Sequence, residues 1–142
     1  MINILKQIVN HTCQDFHLLE GGTLILYIGE VISSKPFRTA YRLWIDCSWR
    51  LQNYEKLLIG SLNDSELILD TIQIIVGKKI KKVDVNSFGD LSIEFEGPYH
   101  LKTFSYSTQD DIWELRRADG YRFGISSELK QYEKFEQPDE LF

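Results

Sequence analysis

Over residues 82–85 and 91–96 apolar and polar side chains exchange every second position. That period fits an extended strand, which turns alternate residues to opposite faces, and fits no helix. Val83 and Val85 alternate with Lys82 and Asp84, and Leu91, Ile93 and Phe95 alternate with Ser92, Glu94 and Glu96. Gly97-Pro98 turns the chain into a third stretch over residues 99–106, and a polar loop at 107–110 leads to two more at 112–117 and 121–125. The pattern predicts an antiparallel meander of about five strands.

The last turn selects a register. A two-residue Asp119-Gly120 loop sets Leu115 opposite Gly124 and Trp113 opposite Ser126. A three-residue Ala118-Asp119-Gly120 loop sets Leu115 opposite Phe123 and Trp113 opposite Ile125. The second register buries one apolar face and puts Gly120 where a bulged turn needs positive φ. Trp113, Leu115, Phe123 and Ile125 are then core residues, with Glu114, Arg116 and Arg122 on the other face.

The first half is more mixed. Ile2, Leu5, Ile8 and Val9 share one face of a short helix over residues 2–10. Strands are expected at 16–19, 23–28, 38–47, 49–51 and 56–60, with 29–36 a loop. Trp44 falls on the face opposite Leu43 and Ile45. Ile68, Ile72, Ile75 and Val76 stand at helical spacing, Asn63 or Asp64 can cap the start and Gly77 the stop, so residues 65–76 read as a helix. Their β-branched content leaves a buried strand as the alternative. The fold class is α+β: a mostly antiparallel sheet, curved or half-barrelled, with the N-terminal and central helices packed on it. Residues 43–61 and 91–107 each read strand, turn, strand, strand end, a pattern that duplicated hairpin units or any two unrelated antiparallel hairpins would give.

With 142 residues, 43% of them hydrophobic, the chain can bury the core of a single domain spanning residues 1–142. Residues 128–142 form an acidic tail, read as partly helical around 128–135 and otherwise flexible, with Pro138 breaking any helix. The net charge of −5 argues against general nucleic-acid binding, which needs a cationic footprint. No basic n-region followed by an apolar h-region opens the chain, and no apolar run approaches a membrane span, so a cytoplasmic protein with reduced Cys13 and Cys47 is expected.

Chemical motifs are sparse. No phosphate-binding glycine loop or nucleophile elbow occurs. His11, Cys13 and His17 are all zinc-ligand types, but their spacing matches no common structural zinc motif and a fourth ligand is not apparent. Cys47 reads as a small core or turn residue. Lys78, Lys79, Lys81 and Lys82 form the one basic cluster, without interleaved aromatics. No catalytic residue, metal or cofactor is assigned. The remaining candidate is an acidic-aromatic recognition patch of Trp44, Asp46, Trp49, Glu94, Glu96, Tyr99, Asp110 and Asp111; burial of the aromatics under a second layer is the alternative.

Gly77-Lys78-Lys79-Ile80, then Gly89-Asp90-Leu91-Ser92-Ile93-Glu94-Phe95, then Trp113-Glu114-Leu115 with Asp119-Gly120, resemble an uncharacterised bacterial family of small proteins. The resemblance covers roughly the last third to half of the chain and rests on strand-meander motifs. It implies no catalytic residues. Several such small α+β proteins are suspected immunity proteins of toxin systems. The expected function is therefore a non-enzymatic protein-binding module, with a basic toxin domain as partner steered by opposite charge, or a homodimer. A small-ligand-binding or regulatory domain is the alternative, and an unrecognised hydrolase comes last.

Overall fold

The computed structural model describes residues 3–105 and 112–137. Among them eleven strands build two antiparallel sheets, accompanied by two short helices. A first helix, α1 (Asn3–Lys6), precedes β1 (Cys13–Leu18), β2 (Leu24–Ser34), β3 (Phe37–Ile45), β4 (Ser48–Gln52) and β5 (Leu57–Gly60). Next come α2 (Ser65–Ile72) and a 3-10 turn (Gln73–Ile75), then β6 (Ile80–Val85), β7 (Leu91–Phe95) and β8 (His100–Phe104). The last three strands are β9 (Trp113–Arg117), β10 (Tyr121–Ile125) and β11 (Gln131–Phe135).

The six-stranded sheet runs β1-β2-β3-β9-β10-β11, and the five-stranded sheet runs β5-β4-β8-β7-β6. One hydrophobic cluster draws on both. Leu24, Leu26, Leu43, Ile45, Trp113 and Leu115 come from the first, and Trp49, Leu51, Ile93, Phe95 and Leu101 from the second. Alternation is cleanest in β7, where Leu91, Ile93 and Phe95 turn to the shared core and Ser92 and Glu94 away from it.

Residues 10–13 join the two sheets along one margin. Asn10 N–H donates to the Ile80 carbonyl at 2.7 Å and Ile80 N–H to that of His11 at 2.9 Å. Cys13 N–H donates to the Lys78 carbonyl at 2.9 Å, and Gly77 N–H to that of Cys13 at 2.8 Å. Ile4, Leu5 and Ile8 near the start, and Ile68, Ile72 and Ile75 in the middle, are buried in the same cluster. No helix among the described residues is long and apolar enough to cross a membrane.

The β9–β10 hairpin adopts the register of the three-residue loop, with Leu115 opposite Phe123 and Trp113 opposite Ile125. Gly120 takes φ +100°. Arg117 and Asp119 brace the turn at 2.8 Å, and the guanidinium hydrogen bond holds the Asp119 carboxyl below the usual range.

Four expectations need correction. The five-strand meander is two pieces: β6-β7-β8 lie in one sheet and β9-β10 in the other. Alternation reports which face is buried, and both inner faces look at the same core, so the pattern is blind to the change of sheet. The proposed duplication fails for the same reason, because β3 and β4 lie in different sheets whereas β7 and β8 pair directly. The loop at 29–36 mostly continues β2 past Gly29, with register shifts around Val31 that let the pairing survive a break in alternation. Residues expected to open the tail as a helix form β11 instead. Tyr132 of that strand donates to the Glu114 carboxylate, which also takes Arg116 Nε at 2.7 Å, and this anchors the strand to the outer face of the sheet.

Candidate functional site

The acidic-aromatic patch does not assemble. Trp49 is fully buried, with its neighbour Leu51, in the core. Trp44 belongs to β3 of the six-stranded sheet and Asp46 lies just beyond its end. The Trp44 ring lies 4.1 Å below the Arg116 guanidinium, and Asp46 accepts from the Thr23 hydroxyl at 2.8 Å. Glu94 and Glu96 belong to the other sheet, on and just beyond β7. Glu94 stands directly opposite His100, while Glu96 accepts from Lys79 N–H at 2.7 Å. Tyr99 packs against the core. Asp110 and Asp111 lie outside the described residues. Trp44 and Glu94 thus face away from the core on different sheets.

The other sequence candidates also separate. Cys13 is buried and His17 exposed, while the His11 ring lies 5.8 Å from that of Tyr41. Among the described residues no group of three or more His, Cys, Asp or Glu is placed to hold a metal ion. Burial pushes the Cys13 thiol up to about 12 and the Cys47 thiol up to about 11, so both stay protonated and unreactive at neutral pH.

Two surfaces stand out instead. The first is built on α2. The Asp64 carboxylate accepts from Leu67 N–H at 2.9 Å, which caps the helix, and Asn63 accepts from Gly60 N–H at 2.7 Å, which fixes the approach. Ile68 and Ile72 point into the core. The same helical geometry turns Leu67, Leu69, Glu66 and Asp70 outward, and all four are exposed. Leu62 is 88% exposed just before the helix and Ile74 is exposed after it. Tyr54 and Leu57, also exposed, line a separate shallow groove with Arg50 and Lys56. No lysine or arginine occurs between Leu57 and Gly77. Around α2 the charged residues of this segment are therefore acids only, set among exposed leucines. The sequence carried a signal for it, since Leu62, Leu67 and Leu69 fall off the Ile68–Ile72–Ile75 stripe.

The second is the outer face of the five-stranded sheet. Strand register sets Asp84, Ser92, Lys102 and Arg50 in one row across β6, β7, β8 and β4. Inward-facing Trp49, Leu51, Ile93 and Leu101 force these alternating neighbours outward. The row floors an open cleft of about 500 Å³, closed at one end by Asn86, Asp90 and Phe104. In the next row His100 sits between Glu94 and Gln52, and its Nε2 lies 2.5 Å from the Ser92 hydroxyl. Burial, with Lys102 next, lowers the His100 pKa and favours the neutral imidazole.

A serine–histidine contact beside a glutamate invites comparison with a hydrolase. Ser92, however, sits in a strand paired on both sides, so its neighbouring amides are engaged in the ladder. The strand itself therefore offers no free backbone N–H to a developing oxyanion at Ser92. The contact orients the Ser92 hydroxyl.

Compared with protein families, curated proteins and solved structures, the chain matches none.

Proposed function

We propose that this chain is a non-enzymatic protein-binding module whose partner is a basic protein, in the manner of an immunity protein that neutralises a cationic toxin domain. The observation that carries the reading is the α2 surface, where exposed Leu62, Leu67 and Leu69 alternate with Asp64, Glu66 and Asp70 and no cation intervenes. Apolar side chains that cost solvation when exposed are normally sparse and scattered on a monomer. Grouped and rimmed by one sign of charge, they give a contact with a dry centre and a steering rim. The net charge of −5 acts in the same direction at long range.

The test is co-purification of the full chain from its own cells, followed by substitution. A partner with an excess of lysine and arginine is expected. Glu66→Lys with Asp70→Lys should release it while the circular dichroism spectrum is retained, and association should slow as salt is raised. A partner that survives the double substitution, or a chain that purifies alone, rules the reading out.

A further inference from the structure

The row on the five-stranded sheet contains an arrangement that costs stability. Arg50 and Lys102 stand directly opposite one another on β4 and β8, both outward. Like charges directly opposite on paired strands repel. Exposed cations usually recover some of that cost by pairing with a carboxylate, yet among the described residues neither has one within 4.0 Å. The Arg50 guanidinium instead lies 5.8 Å over the Phe104 ring, which holds it at the edge of the cleft. Acids line the opposite wall: Asp84 at the far end of the row, in an exposed 3.5 Å pair with Lys82, and Asp90, hydrogen-bonded to Asn86 at 3.1 Å. The cleft is therefore polarised, cationic at β4–β8 and anionic at β6 and the loop before β7.

We propose that this cleft binds a small phosphorylated compound that carries an amino group. Its phosphate sits between Arg50 and Lys102 and its amine faces Asp84 and Asp90. The assignment is independent of the helix surface. An anion between the two cations turns their repulsion into two attractions, and guanidinium with ammonium is a pairing well suited to phosphate. Ser92 completes the subsite: with the imidazole proton on Nε2, His100 donates to the Ser92 oxygen and leaves the hydroxyl proton to the phosphate. Adjacent strands are about 4.8 Å apart, so Lys102 and Asp84 are separated by about 10 Å at the backbone. Long side chains close that distance to the span of a two-carbon amino phosphate. The acidic wall repels a second phosphate, which sets polyanions aside as ligands.

The experiment is an amide NMR titration of the full chain with phosphoethanolamine and, separately, with inorganic phosphate. Phosphoethanolamine should give saturable shifts confined to Arg50, Ser92, Lys102 and the loop around Asp90, with several-fold weaker binding of inorganic phosphate. Arg50→Gln and Lys102→Gln, both on the solvent face, should each weaken binding roughly tenfold. Asp90→Asn should erase the advantage of the amine. Contacts between the probe's methylene protons and the Phe104 ring locate the ligand in the unsubstituted chain, whatever the variants do to folding. Shifts that do not saturate, equal affinity for the two probes, or binding untouched by both glutamine variants would each overturn the assignment.

Discussion

The indole N–H of Trp113 donates to the carbonyl oxygen of Gly89 at 2.9 Å, a buried bond that ties a strand of one sheet to a loop of the other. Trp113→Phe keeps most of the apolar area but orphans the carbonyl, and should cost about 1–3 kcal/mol. At Gly89 itself φ is +81°, and an added Cβ would lie 2.9 Å from Ile125 Cγ2. Gly89→Ala should cost a similar amount through backbone strain and overpacking. Urea unfolding of both variants checks this, and the effects should be less than additive because the two residues share one contact.

Trp49 and Trp44 test the division between core and surface. Trp49→Ala empties a fully buried site and should cost about 3–5 kcal/mol. Trp44→Ala removes a ring stacked under Arg116 on the outer face and should cost about 1–2 kcal/mol. Comparable losses in thermal or urea unfolding would contradict the placement of these two side chains.

Cys13 makes stability fall in alkali. Its thiol keeps a proton in the folded chain up to about 12 but releases it near 9.0 when free. Its contribution is thus fully present below pH 9 and is lost as pH rises toward 12, because the unfolded chain binds fewer protons in that window. The slope approaches about 1.4 kcal/mol per pH unit. The measured quantity is the difference in unfolding free energy between the native chain and Cys13→Ala across this range. The gap should narrow as pH rises.

Asp64→Ala removes the side-chain acceptor for Leu67 N–H and should cost about 1 kcal/mol, with Asp64→Asn losing much less. Local amide exchange over residues 65–68 should quicken in the alanine variant and stay near native in the asparagine variant.

What the sequence disclosed follows the physics of strands. The β9–β10 register was legible because only one loop length puts Leu115 and Trp113 against apolar partners and Gly120 at positive φ. The α2 cap and stripe were legible because Asp64 and the Ile68–Ile72 spacing are local signals. The change of sheet after Phe104 was not, since period two reads the same in either sheet. The proposed patch failed for a related reason. Alternation put Glu94 outward correctly, but nothing local says that Trp44 occupies the other sheet, or that Trp49 faces inward under both. The β4–β8 pairing that sets Arg50 against Lys102 joins segments distant in sequence, and only the folded topology brings those charges together.

The backbone bonds between residues 10–13 and 77–80 have a consequence for quality control. They cover the first residues of β1 and the approach to β6, margins that would otherwise offer raw ladders to other chains. Proteolytic loss of the residues before β1 would uncover the approach to β6 and take Ile4, Leu5 and Ile8 out of the core. Fibre-like stacking would then begin from a molecule already opened on that side.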